Sequence, residues 1–391
     1  MKKGATPYLA VEIVAKAVLT ALWGQPAADL SSTRLSGTPQ LLSKLWSTLY
    51  FLPVSNAGER QDLVVKIAHF PDQTTPEPSW QSEELLRRGQ REFETMERIA
   101  SHFTQQPDPL LSALQPRAYL PEINAIVMDF VKGQPLYDEC FTGQGVLTNR
   151  GRRRAEKIMH RTGCWLRHFH HLPLENVPPK RLHHPGETFE AILAVVDTLS
   201  TLGINPTAWP HWNETLAFLR QVNPPEVVWT HGDFHLRNVF VFYYPHDGVL
   251  GLDTALERVD SPYFDLGKFI ADLKTRRGVI LSRGLFPPLA VTQSLIKAFL
   301  SGYLAGEPLA VLPLALYEGR FILEKWVQSL TVIDQKFYGR SAPMGAAVRV
   351  LVNSSFQRIV SQWLQTVNQA ASAQAGFYRL QEDHSLEVKY P

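Results

Sequence analysis

The ten residues His231-Gly232-Asp233-Phe234-His235-Leu236-Arg237-Asn238-Val239-Phe240 hold an aspartate and an asparagine five positions apart, directly before the apolar run that continues Val241-Phe242-Tyr243-Tyr244. Fifteen residues past Asn238, Gly251-Leu252-Asp253 sets a second aspartate at the end of another apolar stretch. Amide and carboxylate oxygens are the hard donors that Mg²⁺ prefers. A further carboxylate can orient a hydroxyl and take up its proton. One Asp, one Asn and a second Asp in this order suit the transfer of a phosphoryl group to a hydroxyl.

Two other readings of the string compete with that one. A Gly-Asp-x-His sequence also occurs in metallophosphoesterases, but their further Asp-x-His-Gly and Gly-Asn-His clusters are absent here. A polar turn between strands would explain the string alone; it does not explain Asp253 downstream or the strand lysine upstream described below.

The resemblance is specific. His231-Gly232-Asp233 has the spacing of the protein-kinase His-Arg-Asp, with Asn238 where the catalytic-loop asparagine falls. The central Gly, and His235 two residues after the Asp, make the string resemble the aminoglycoside phosphotransferase and choline kinase superfamily of small-molecule kinases. Asp253-Thr254-Ala255 replaces Asp-Phe-Gly, and no Ala-Pro-Glu motif or activation-loop-like segment follows, which argues against a protein substrate. The resemblance runs from about Leu35 to Leu330. It implies ATP (or GTP) and Mg²⁺ as cofactors, Asp233 as catalytic base, and Asn238 and Asp253 as Mg²⁺ ligands. Asp265, in Ser261-Pro262-Tyr263-Phe264-Asp265, resembles an acidic residue that braces the catalytic loop in the family, and His235 is read as structural.

The same resemblance asks for a lysine over the nucleotide phosphates, held by a glutamate on the next helix. Lys66, in Val64-Val65-Lys66-Ile67, sits mid-strand between apolar neighbours. Its partner belongs on a helix expected over Glu83–Phe103. Glu92 has the family's spacing of seven to an apolar residue, Ile99, and Glu94 and Glu97 are alternatives. A phosphate-covering loop is expected over Leu35–Lys44, where one glycine is present and Gly-x-Gly-x-x-Gly is not; Ser43 or Lys44 would reach phosphate there. Adenine would hydrogen-bond to backbone around Met128, Phe130 and Val131.

These parts require two supporting bodies. The chain has 391 residues and is 45% hydrophobic, enough for more than one core. The expected fold class is α+β and two-lobed, protein-kinase-like. Residues 1–131 would form a small β-rich N-lobe with an N-terminal helix, an antiparallel sheet, the Glu-bearing helix and a connector strand over Ala125–Val131. Residues 132–391 would form a mostly helical C-lobe with the catalytic loop and a metal-binding hairpin. Helical periodicity covers roughly 189–202, 212–222, 263–274, 292–304, 316–337 and 346–371. Gly24-Gln25-Pro26 reads as the stop of a first helix from Leu9, Pro71–Ser79 as a surface loop, and the polar tail after Ala375 as loosely ordered.

Composition limits the partners. With 39 Lys and Arg against 37 Asp and Glu the net charge is +2, so no global field marks a nucleic-acid binder. Arg150, Arg152, Arg153 and Arg154 read as a solvated helix face, as do most of the basic residues after Asp265: Lys268, Lys274, Arg276, Arg277 and Arg283. Were those after Asp265 to face the cleft instead, an anionic or neutral acceptor such as a sugar or a polar metabolite would fit better than a polycationic aminoglycoside. Two cysteines cannot make a disulfide framework, and Cys164 reads as a small core residue of a reduced, intracellular protein. No apolar run reaches the ~18–20 residues of a membrane span. The expectation is a cytoplasmic enzyme with a small-molecule hydroxyl acceptor and no nucleic-acid or membrane partner. The alternative is a non-catalytic, kinase-like nucleotide-binding protein.

Overall fold

The computed structural model describes residues 9–23, 35–44, 46–56, 59–69, 81–106, 108–142, 145–175, 181–222, 227–243, 247–254, 256–285, 287–337, 342–372, 377–380 and 386–389. The Gly24–Pro26 stop and the Pro71–Ser79 loop lie outside the described residues. The chain divides into two compact units, Met1–Lys132 and Gly133–Pro391.

The first unit is built on a five-stranded antiparallel sheet. Its elements are α1 (Val11–Trp23), β1 (Gln40–Ser43), β2 (Ser47–Asn56), β3 (Glu59–Ala68), α2 (Glu83–Thr104), β4 (Leu111–Ala113), β5 (Pro116–Leu120) and β6 (Ala125–Asp129), with sheet order β1-β2-β3-β6-β5. Strand alternation divides its residues between two faces. Leu63, Val65 and Ile67 of β3, with Ala125 and Val127 of β6, share a core with Val14, Val18 and Leu19 of α1. The intervening Ile126 and Met128 join Met96 of α2 on the other face, with Val64 and Phe93 packed against them. Lys66 is in the Val64 phase, so it faces α2.

The helix α2 starts at Ser82, whose Oγ accepts from Leu85 N, and carries Glu83 and Glu84 in its first turn, where they complement the helix dipole. Its inward residues Leu85, Gly89, Met96, Ile99 and Phe103 follow 3–4 spacing, and Glu92 falls on the same stripe. Gly89 is required by contact: a Cβ there would lie 2.2 Å from Asn124 Oδ1. Tyr119 OH lies 3.0 Å from Leu86 O and 2.9 Å from Asn124 Oδ1, sharing its one proton between them, which seats α2 against the β5–β6 turn.

The second unit is mainly helical. It contains β7 (Gly133–Pro135), α3 (Leu136–Phe141), α4 (Asn149–His170), α5 (Pro185–Thr201), α6 (Trp212–Leu219), β8 (Val228–Thr230), β9 (Val239–Phe242), β10 (Gly248–Gly251), β11 (Arg258–Asp260), α7 (Tyr263–Thr275), α8 (Arg277–Leu281), α9 (Leu289–Leu304), β12 (Leu309–Ala310), α10 (Val311–Phe337), α11 (Ala342–Ser372), β13 (Phe377–Leu380) and β14 (Leu386–Lys389). Helix α4 packs on α9, and α10 packs on α5, α7 and α11. Strands β7, β9 and β10 pair antiparallel, as do β8 and β11.

Several expectations are corrected. Residues 40–43 of the expected phosphate loop are an edge strand, β1, paired with β2, and next to it Lys44 N donates to Ser47 O at 2.8 Å. Within the tail, residues 377–380 and 386–389 form β13 and β14, which pair with each other, and β13 also pairs with β12. Cys140 is the fully buried cysteine, and Cys164 is half-buried. Arg154 is not merely solvated: it pairs with Glu139 at 2.8 Å and Asp247 at 3.1 Å. Among the described residues no helix is long and apolar enough to cross a membrane.

Candidate active site

In the first unit Lys66 Nζ donates to Glu92 Oε1 at 2.6 Å, and the two side chains are 18% and 19% exposed. Glu94, an alternative partner, accepts instead from Gln90 Nε2 at 3.0 Å. The strand phase of Lys66 and the inward stripe of α2 together produce the Lys66–Glu92 pair. Ser43 is exposed at the end of β1. The ladder places it in a row with Thr48 and Ile67, whereas Lys66 shares its row with Leu49 and Leu42. Cross-strand neighbours share a face and adjacent rows face oppositely, so the ladder does not bring Ser43 to Lys66.

Met128 is buried in β6 opposite Val64. Phe130, just past the strand, is 41% exposed and stacks edge-on with Phe51. Its N–H donates to Asp62 O at 3.0 Å and is therefore already engaged within the sheet.

In the second unit the loop from His231 to Asn238 joins β8 to β9, and its residues alternate between anchor and site. Phe234 is fully buried, stacked with Trp165 at 5.8 Å and tilted against Phe269 at 5.1 Å. Asp233 beside it is exposed, with Lys268 Nζ 2.7 Å from its Oδ1 and His235 Nε2 3.3 Å from its Oδ2. Burial alone would raise its pKa, but hydrogen bonds from His235 and Lys268 and the charge of Lys268 outweigh this and hold the carboxyl far below the usual aspartate range. His235 Nδ1 accepts from Arg237 N at 3.1 Å, which puts its proton on Nε2, facing Asp233.

Asp265 braces the loop from beneath. Fully buried on α7, it accepts from His231 N at 2.7 Å and Gly232 N at 3.0 Å, and contacts His170 Nε2 at 3.0 Å. The His231 imidazole is buried, and desolvation pulls its pKa down against the attraction of Asp265, so it stays neutral.

Asn238 and Asp253 lie at one end of the β9–β10 hairpin. Val239 pairs with Gly251, and one step further Leu252 N donates to Asn238 O at 2.8 Å. A Cβ on Gly251 would lie 2.3 Å from the Trp165 ring, so only glycine lets the hairpin end this close to α4. Asp253 adopts φ +55, a left-handed conformation that aspartate tolerates at a cost of about 1 kcal/mol. Asn238 Nδ2 donates to Asp233 Oδ2 at 2.9 Å and to Asp233 O at 3.0 Å. That fixes the amide and leaves its oxygen for a cation. One amide oxygen and one exposed carboxylate fit Mg²⁺, which is commonly held by one or two protein oxygens together with substrate phosphates.

Lys268 and His170, which contact Asp233 and Asp265 respectively, were not singled out in the sequence. Lys268 lay in a charge run whose helix face was undetermined, and only the i,i+3 step from Asp265 hinted at a shared face.

The architecture is that of the protein-kinase-like phosphotransferases. A putative aminoglycoside phosphotransferase from Ralstonia eutropha JMP134 superposes with a TM-score of 0.54, covering 91% of this chain and 98% of that one at 14% identity. Choline kinase from Cryptosporidium parvum Iowa II gives 0.47, with 93% and 97% covered at 10% identity. No curated relative matches the chain in sequence. A sequence profile of the phosphotransferase enzyme family matches residues 42–308, and the chain belongs to that family. It is a kinase acting on a hydroxyl of a small molecule.

Proposed function

We propose that the enzyme transfers the γ-phosphoryl group of ATP, with Mg²⁺, to a hydroxyl of a small molecule such as a sugar, an amino alcohol or an aminoglycoside-like compound. The observation that carries this reading is Asp233, exposed on a braced loop and held ionised by Lys268 and His235. Asp233 orients the acceptor hydroxyl and takes its proton as the oxygen attacks. Asn238 and Asp253 are assigned to Mg²⁺, which when bound neutralises charge on the transferring phosphate. Lys66, aimed by Glu92, is assigned to the nucleotide phosphates. The main chain at Ser43 and Lys44 is assigned to covering them, and the backbone from Met128 to Phe130 to the purine.

The test is an ATP-consumption screen of the full chain against sugars, amino alcohols, nucleosides and aminoglycosides. Turnover that disappears in Asp233→Asn while ATP still binds supports the assignment, and undiminished turnover in that variant overturns it. One observation favours a second reading, a non-catalytic nucleotide binder: the Lys44-Leu45-Trp46 connection contains no glycine to approach phosphate closely. Nucleotide binding without turnover of any acceptor would select it.

A further inference from the structure

A carboxylate has roughly four hydrogen-bond acceptor sites, two on each oxygen. In Asp233 both sites of Oδ2 are engaged, by Asn238 Nδ2 at 2.9 Å and His235 Nε2 at 3.3 Å. Oδ1 holds Lys268 Nζ at 2.7 Å. The site left for an acceptor hydroxyl is therefore the second one on Oδ1, directly beside the lysine. Both side chains can be reached there: that of Asp233 is 55% exposed and that of Lys268 is 20% exposed.

The lysine is held in this place. Its Nζ also donates to Gly232 O at 2.8 Å and lies 5.6 Å from the centre of the Phe321 ring. A hydroxyl donating to Oδ1 from the usual ~2.7 Å, at the trigonal angle to the lysine, has its oxygen roughly 4–5 Å from Nζ. At that range Lys268 acts on whatever charge the acceptor carries next to its reacting hydroxyl.

The helices that flank Lys268 supply no free carboxylate to offset it. On α7, Asp265 is buried under the loop main chain, and Asp272 accepts from Leu236 N at 3.2 Å and lies 3.4 Å from Lys325. On α10, which packs on α7, Glu318 pairs with Lys274 at 2.5 Å, Glu324 with Arg320 at 2.8 Å and Asp334 with Arg349 at 2.6 Å. Reading an ammonium calls for an unpaired carboxylate, because complementary charge both attracts the right partner and rejects the wrong one. Here the charge beside the open site of Asp233 is positive.

We propose that Lys268 is a specificity-determining residue, which excludes acceptors with an ammonium on the carbon next to the reacting hydroxyl. The acceptor is then a sugar or another neutral or anionic polyol, and not an amino alcohol phosphorylated beside its amine. The proposal rests on the kinase reading of Asp233 given above.

The test uses the full chain and the best acceptor found in an ATP-consumption screen of sugars, amino alcohols, nucleosides and aminoglycosides. That acceptor is compared with its counterpart, with or without an ammonium on the carbon next to the phosphorylated hydroxyl; glucose and glucosamine, or glycerol and serinol, are such pairs. The wild type is expected to favour the member without the ammonium at least tenfold in kcat/KM. Lys268→Met is expected to narrow that ratio tenfold or more, and Lys268→Arg, which keeps the charge, to preserve it. A lysine that only positions the loop would lower turnover of both members alike and leave their ratio unchanged, and that result overturns the proposal. A wild type that uses the ammonium-bearing member equally well or better also overturns it, while leaving the kinase reading intact. Turnover of no acceptor at all is the separate outcome in which the kinase reading fails and takes the proposal with it. If Lys268→Met does not fold, Lys268→Gln replaces it: a narrowed ratio supports the proposal and an unchanged one overturns it.

Discussion

Lys268 Nζ bridges two atoms of the His231–Asn238 loop, lying 2.7 Å from Asp233 Oδ1 and donating to Gly232 O at 2.8 Å. Asp265, three residues earlier on the same helix, accepts the N–H of Gly232. One helix therefore holds the loop by its main chain and sets the charge state of its exposed carboxylate. The loop's geometry and its acidity have a common origin in the first turns of α7.

The first prediction concerns pH. In the wild type Asp233 has a pKa below the ordinary aspartate value because Lys268 and His235 outweigh its partial burial. The acid limb of kcat/KM that belongs to this base should lie below about pH 4. In Lys268→Met the burial contribution is less opposed, so the limb should move to higher pH. The stability supplied by ionised Asp233 is present above the unfolded pKa of about 4 and is lost as pH falls toward the folded value. A pH–rate profile of the variant that superimposes on the wild type would show that Lys268 does not tune the base.

Asp233→Asn removes the proton acceptor but keeps the side chain's shape. Turnover should fall by about 10²–10⁴, the usual contribution of a positioned base. ATP affinity should change little, since the assigned nucleotide residues Lys66 and Glu92 are in the first unit. Steady-state kinetics with calorimetric ATP titration separate the two effects.

The Lys66–Glu92 pair is four-fifths buried, so removing one partner strands the other. Glu92→Gln should cost about 2 kcal/mol in chemical denaturation of the first unit, and weaken ATP binding by leaving Lys66 unaimed. Replacing both by Met and Leu should recover much of the stability and none of the ATP affinity. Equal recovery of both would mean that the pair is structural only.

What was legible in the sequence was what periodicity and local spacing encode. The phase of Lys66 in β3 and the inward stripe of α2 are short-range patterns, and together they bring Lys66 to Glu92. The hairpin between Asn238 and Asp253 is equally local. Strand β1 was missed because all four of its residues are exposed and Gln-Leu-Leu-Ser has no alternation. Arg276 read as surface because charge runs are normally solvated, whereas tertiary packing puts it under Phe141. Of the loop's brace, Asp265 was legible only through a family resemblance; the hydrogen bonds span 33 and 34 positions, beyond any spacing rule.

Gly251→Ala tests how closely the hairpin end must approach α4. The added Cβ would meet Trp165 Cη2 at 2.3 Å, and Trp165 is itself buried and stacked on Phe169 and Phe234. It has little room to move, so the strain should cost about 1–3 kcal/mol. Displacing Gly251 also displaces Asp253 two residues on. A Mg²⁺ titration of activity should therefore show a weaker apparent affinity in the variant, and an unchanged one would detach Asp253 from the metal.

Asp265→Asn is the sharpest probe of the brace. The carboxylate accepts from two backbone N–H groups through different oxygens and touches His170, all in a fully buried setting. Asparagine keeps one acceptor and turns an NH₂ toward a donor N–H, so at least one buried hydrogen bond is lost and a repulsive contact replaces it. Hydrogen bonds to charged groups contribute about 1.5–3 kcal/mol each, and a stranded buried donor adds to the loss. The variant should lose about 3 kcal/mol of stability by urea denaturation. At temperatures where it remains folded its turnover should also fall, because the loop main chain that aims Asp233 is no longer held. Normal turnover in a folded but destabilised variant would mean that Asp265 supports the core and leaves the position of Asp233 to Lys268 and Asn238.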